Sequence, residues 1–173
     1  VPDDYLEALS ASTIATCGVP GWYAGIVKGR SNDPQTLSHP DYRLDNLFFD
    51  DRADEIELTV IDWGRVAAQR PGMALALFLT DSGLSNEDIA KCIDIYWREL
   101  ATKGVTNFSK EDCMSEFRIG VVEVLAMRLW QFSTGSNEGA DDRIKAMRKR
   151  GWDRLIPILE NFACLDAIPA DSQ

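Results

Sequence analysis

Two short segments of this chain hold side chains that together could do chemistry. The first is Ser38-His-Pro-Asp-Tyr-Arg-Leu-Asp-Asn46, and it contains His39, the only histidine in the protein. The second is Val60-Ile-Asp-Trp-Gly64, which contains Asp62. Moving a phosphoryl group onto an alcohol needs a carboxylate that orients the hydroxyl and takes its proton. Asp41 is the candidate. The same reaction needs hard oxygen ligands for Mg²⁺, which prefers carboxylate, amide carbonyl, water and phosphate oxygens. Asn46 and Asp62 are the candidates, and a cation held there would neutralise phosphate charge.

The elements that must position these groups can be read from the residues between them. Leu47-Phe48-Phe49 is a short apolar run, and Ile56-Glu57-Leu58-Thr59-Val60-Ile61 is a second, β-branched one. The link from Asp50 to Glu55 is polar. Two such runs across a polar link predict a β-hairpin. A hairpin brings Asn46, just before its first strand, next to Asp62, just after its second. Either segment alone would also suit a solvated turn or a strand end. Their order, with a hairpin between them, is what points to chemistry.

The pattern His-x-Asp-x-x-x-x-Asn, then a strand pair, then Asp-Trp-Gly, is similar to the kinase catalytic loop and the Asp-Phe-Gly segment that follows it. His39-Pro-Asp-Tyr-Arg-Leu-Asp-Asn-Leu-Phe-Phe49 followed by Val60-Ile-Asp-Trp63 resembles the aminoglycoside phosphotransferase/choline kinase group, in particular its ecdysteroid-kinase-like branch. The stretch from Gly139 to Trp152 also resembles the C-terminal helix of such proteins, so the likeness runs from about residue 30 to 165. The resemblance implies an α+β, mainly helical chain. Its form would be the C-terminal lobe of a protein-kinase-like fold, with a small catalytic hairpin and four or five helices. It implies an ATP- and Mg²⁺-dependent phosphotransferase acting on a hydroxyl of a small molecule. Asp41 would be the catalytic base, Asn46 and Asp62 the Mg²⁺ and nucleotide ligands, and His39 a structural residue of the catalytic loop. Two positions depart from the family. Pro40 stands where Gly is usual, which fixes φ and removes an N–H donor. Ala74 replaces an Asp that is expected to brace the catalytic loop. These departures, with no lobe before Ser38 to hold ATP, keep a non-catalytic pseudokinase lobe or binding module as the alternative.

Composition bounds the reading. The chain has 173 residues, 45% of them hydrophobic, and is expected to form one domain over 1–173. No apolar run reaches the roughly 18 residues of a membrane span, and the acidic start carries no secretory signal. The net charge of −10 argues against nucleic-acid and anionic-membrane partners. Cys17, Cys92, Cys113 and Cys164 are widely spaced, and with one histidine they offer no zinc set. Reduced, mostly buried thiols of a cytoplasmic protein are expected. The chain opens on Val1 rather than Met, so a trimmed or partial chain is expected.

Taken in order, residues 3–16 are expected to form a helix ended by Gly18. The glycine-rich stretch from Gly18 to Gly29 lacks the G-x-x-x-x-G-K-[ST] pattern and is read as a loop. Nothing before Ser38 carries a strand signal, so the N-terminal β-rich lobe that normally holds ATP is absent, and this piece alone is expected to be inactive. After Asp62 the chain is expected to turn through Gly64 and Pro71-Gly72. Met73 to Thr80 reads as a short apolar helix. Ser85 with Asp88, and Ser109 with Asp112, read as helix starts. The first opens a helix to about Lys103 with Ile89, Ile93, Tyr96, Trp97 and Leu100 on one face. The second opens a helix to about Gly135 with Phe117, Val121, Val124, Leu125, Leu129 and Phe132 on one face. A last helix is expected from Ala140 to Phe162, its apolar side formed by Ile144, Met147, Trp152, Leu155 and Leu159, kinked or divided at Pro157. The basic run Lys145–Arg150 on it reads as a solvated face.

Overall fold

The computed structural model describes residues 35–52, 55–133 and 141–167. The expected helix over 3–16, the glycine-rich loop, Cys17, Phe132 as a packing residue, Gly135 and Ala140 lie outside these residues. The fold is α+β and mainly helical. Its elements are β1 (Thr36–Ser38), β2 (Leu47–Asp50), β3 (Glu57–Val60), β4 (Ala67–Gln69), α1 (Pro71–Ser82), α2 (Asn86–Thr102), α3 (Lys110–Ser133) and α4 (Asp142–Asn161). A 3-10 turn over Cys164–Ala167 closes the described chain.

The strands form two nested antiparallel pairs. The inner pair is the expected hairpin, with Leu47 opposite Val60 and Asp50 opposite Glu57. The outer pair joins β1 to β4, with Thr36 opposite Gln69 and Ser38 opposite Ala67. The absence of a strand before Ser38 is therefore corrected: Thr36–Ser38 is one. Neither β1 nor β4 shows the alternation that announces a strand. Each is short, and tertiary pairing rather than propensity makes it one. Nesting has a consequence for the site. The segments His39–Asn46 and Ile61–Val66 emerge from both ladders on the same side of the register and must lie opposite each other.

Helices α2 and α3 start where their sequence signals say. Ser85 Oγ accepts from the Asp88 N–H at 3.1 Å. At the start of α3 the exchange is reciprocal: Asp112 N–H donates to Ser109 Oγ at 3.0 Å, and Ser109 N–H donates to the Asp112 carboxylate at 2.8 Å. Asp141 caps α4 by accepting from Ile144 N–H at 2.8 Å. Three details differ from expectation. Pro71-Gly72 is not a turn but the first turn of α1, where Pro is at home because its missing N–H would have no partner anyway. Pro157 does not divide α4, which runs unbroken to Asn161. And α3 is not one-faced: Cys113, Phe117, Ile119, Val121, Val122, Val124 and Leu125 are all buried, so it is the central helix around which the others pack.

The core lies among α1, α2, α3 and the C-terminal half of α4. Leu79, Ile89, Ile93, Phe117, Leu125 and Leu155 are fully enclosed, each worth about 1.5–3 kcal/mol relative to exposure. On α4 the expected apolar side holds for Trp152, Leu155 and Leu159, whereas Ile144 and Met147 are exposed. The closest approach is between α1 and α3. A Cβ on Gly120 would stand 2.1 Å from the Gly72 carbonyl oxygen, and one on Gly72 would stand 2.2 Å from the Glu116 carbonyl oxygen. Beside this crossing Arg70 and Glu116 form a buried ion pair. At the other end of α1, Arg128 of α3 donates to Asp81 at 2.9 Å and Arg154 of α4 donates to the Asp81 carbonyl.

Candidate active site

The loop from His39 to Asn46 is closed on itself by Asn46. A 3-10 turn over Leu44–Asn46, with Asn46 N–H donating to Arg43 O at 2.9 Å, carries Asn46 into a buried position. Its amide Nδ2 then donates to the Asp41 backbone oxygen at 2.8 Å and to the Asp41 carboxylate at 3.1 Å. Two acceptors around one atom identify that atom as the NH₂. Both bonds use the amide nitrogen, so Oδ1 is the atom left for a hard cation. Arg43 Nε lies 3.2 Å from the other carboxylate oxygen of Asp41, and Arg43 Nη1 lies 3.6 Å from Asp45. The pair is more than a third exposed on both sides, so it adds little to stability. It does place a fixed positive charge against Asp41.

His39 joins this loop to the Asp62 segment. Its Nδ1 accepts from the Asp41 N–H at 3.2 Å, and its Nε2 lies 2.8 Å from the Ile61 carbonyl oxygen. A backbone N–H can only donate and a carbonyl can only accept. The neutral ring protonated at Nε2 is therefore the form that makes both bonds. The imidazole is buried and meets Trp63 edge-on, with ring centroids 4.9 Å apart. On its other side Tyr42 lies at 6.0 Å and packs in turn against Phe78 of α1 at 5.4 Å. Through these rings the site is seated on the helical layer.

Asp62 follows β3 directly. Both backbone groups of its predecessor are taken: Ile61 N–H donates to Asn46 O at 3.0 Å, and Ile61 O accepts from His39. Asp62 itself adopts the left-handed conformation, φ 62° and ψ 49°, and opens a 3-10 turn over Trp63–Arg65. Asp is among the few side chains that accept this region, at a cost of about 1 kcal/mol. Its side chain is exposed. Trp63 Nε1 donates back to Val60 O at 2.9 Å, which fixes the turn from the other side.

Asp41 and Asn46 are thus in direct contact, and His39 and Asn46 both hold the residue that carries Asp62. Among the described residues no group of three or more His, Cys, Asp and Glu side chains is arranged to hold a metal. A cation here would be shared between the Asp62 carboxylate, the Asn46 amide oxygen, water and substrate phosphates, which is how Mg²⁺ is commonly held. Sequence reasoning assigned nothing to Arg43, Tyr42 or Trp63. The only signal was their place, within or next to the two motif segments. Among known proteins the chain matches no family model, no curated protein and no solved structure. Among the described residues no helix is long and apolar enough to cross a membrane.

Proposed function

We propose that this chain is the catalytic and acceptor-binding lobe of a kinase-like phosphotransferase that moves the γ-phosphate of ATP to a hydroxyl of a small molecule. The observation that carries the reading is the His39 bridge. One buried imidazole fastens the Asp41 loop to the residue before Asp62, so the candidate base and the candidate cation ligands share one frame. Asp41 accepts the hydroxyl proton as the acceptor oxygen bonds to the γ-phosphorus. The bond from that phosphorus to the bridging oxygen breaks, and ADP leaves. Asn46 holds the Asp41 carboxylate in place through Nδ2. Asn46 Oδ1 and Asp62 would hold Mg²⁺, which supplies charge neutralisation on the phosphates. His39 positions both segments and transfers no proton. The reading requires a nucleotide-binding lobe, which the described residues do not include.

A second reading, a non-catalytic lobe or binding module, has one observation in its favour. Arg43 and Asn46 both sit on the Asp41 carboxylate, which leaves fewer of its lone pairs open to an acceptor hydroxyl. Turnover of the full gene product with Mg²⁺ and ATP against a panel of small alcohols separates the two. We expect Asp41→Asn to lower kcat about 10²–10⁴-fold with unchanged thermal unfolding. We expect the Mg²⁺-dependent ATP titration signal to vanish in Asp62→Ala. Equal turnover by Asp41→Asn removes its role as base. No Mg²⁺-dependent nucleotide binding by the full gene product establishes the second reading.

A further inference from the structure

We infer that the first half of α4 docks on the β2–β3 hairpin of a second copy of this chain, a basic surface against an acidic one. The inference stands apart from the phosphotransfer reading and uses different residues.

The apolar side of α4 is covered over one half and bare over the other. Trp152, Leu155 and Leu159 are buried in the core, whereas Ile144 and Met147, one turn apart, are 37% and 49% exposed. Every residue from Asp142 to Arg150 except Arg148 is exposed, so this half stands clear of the described core. Its charge is one-sided: Arg143, Lys145, Arg148, Lys149 and Arg150 against Asp142 give +4. Helical spacing puts Arg143 and Arg150 on one flank of the Ile144–Met147 stripe and Lys145 on the other. Arg143 and Arg150 have no ion pair among the described residues.

The hairpin has the matching composition with the sign reversed. Residues 50–57 hold Asp50, Asp51, Asp54, Glu55 and Glu57 against Arg52, which gives −4. Arg52 is already engaged by Asp50, its Nε donating at 2.8 Å. Asp51, Glu55 and Glu57 have no ion pair among the described residues. Phe48 shares a face with Asp50 and Glu57, so apolar and acidic groups stand side by side there. Phe48 is 58% exposed, and Phe49, Ile56 and Leu58 are exposed beside it.

Both surfaces are exposed, so neither covers the other within one chain. A second copy brings them together, apolar on apolar with opposite charges around them, and a two-fold axis makes the contact twice. A nucleic acid offers no apolar surface matched to Ile144 and Met147, and an anionic bilayer on α4 leaves the hairpin bare. One contact between two copies covers both.

Sedimentation equilibrium of the intact protein tests this. We expect a mass of two or more chains that rises with concentration. Arg143→Glu/Arg150→Glu and Glu55→Lys/Glu57→Lys are each expected to weaken association about tenfold or more. All four positions are exposed, and thermal unfolding checks that each variant is folded. The hairpin variant changes the net charge from −10 to −6, two acids having become two bases. Overall repulsion alone therefore predicts tighter association from it, and docking predicts weaker. Mixing the two variants is expected to restore association, because each then meets the opposite charge on the other. Any of four results overturns the inference: a monomer at every concentration; association unchanged or tightened by the hairpin variant; association indifferent to the α4 variant; or a mixture no better associated than its parts. Capture of a monomeric chain by duplex RNA or phosphatidylglycerol vesicles, lost in the α4 variant, would assign the helix to a polyanion and would also overturn it.

Discussion

At the crossing of α1 and α3 one methyl group has no room, whereas on the β2–β3 hairpin whole aromatic rings stand in solvent. The first region is closed by Gly72 and Gly120, with backbone against backbone. The second exposes Phe48, Phe49, Ile56 and Leu58. The candidate site lies between them, held from the helical side by Tyr42 on Phe78 and from the hairpin side by Ile61. Stability is therefore concentrated in one region and exposed chemistry in the other. A few directed hydrogen bonds, centred on His39 and Asn46, link the two.

This contrast breaks most sharply at the crossing. Gly120→Ala is expected to cost about 3 kcal/mol, because an added Cβ would stand 2.1 Å from the Gly72 carbonyl oxygen and 3.0 Å from the Ala76 Cβ. Chemical denaturation measures it, and a loss under 0.5 kcal/mol would mean the helices separate freely there. Asp81→Ala comes next. It removes the carboxylate from Arg128, whose side chain is only 12% exposed. Burial pushes the Arg128 guanidinium below its usual range, and Asp81 is the group that opposes the shift. Losing that partner is expected to cost about 2 kcal/mol. Asp81→Ala with Arg128→Met is expected to recover part of it, and no recovery would locate the loss elsewhere in α1. On the hairpin, by contrast, Phe49→Ser is expected to change stability by less than about 0.5 kcal/mol. A large loss there would show that the ring packs against something in the folded chain.

The same two regions differ in how far the sequence revealed them. The hairpin and the helix starts were legible because their signals are local: a β-branched run, a polar link, and Ser or Asp placed to receive an N–H. The α1–α3 crossing was not. Arg-Pro-Gly reads as a turn until Gly120, far along the chain, supplies the surface that Gly72 must meet. The all-round burial of α3 was hidden for a related reason, since spacing shows one face and only tertiary neighbours cover the others. In the site, residue types and order placed His39, Asp41, Asn46 and Asp62 in two segments. The bonds between them were beyond reach, because the partner of His39 is a backbone carbonyl 22 positions away, and carbonyls carry no sequence signature. Arg43 was missed because a charged residue two positions from a carboxylate is ordinary until its side chain is seen folded back.

The smallest effect is a chemical one and tests the closed region without disturbing it. Cys113 and Cys164 are buried and free. Desolvation raises their thiols to about 11 and about 12. At pH 8 the thiolate fraction of each is then about 10⁻³ or less, against about 10⁻¹ for an ordinary thiol. Iodoacetamide at pH 8 is expected to label the half-buried Cys92 first and to leave Cys113 and Cys164 untouched until the chain is unfolded. Peptide mass spectrometry reads each site separately. The sign of the linked stability follows. A thiol whose folded pKa lies above its unfolded value favours the folded state fully below pH 9, and that contribution fades as pH rises from 9 through 11 to 12. Denaturation midpoints should therefore fall over that range, and fall less in Cys164→Ala than in the parent. Fast labelling of Cys164 in the native chain at pH 8 would mean that the packing of α3 against the Cys164–Ala167 turn opens readily. The contrast between a closed helical layer and an open hairpin would then have to be redrawn along α3.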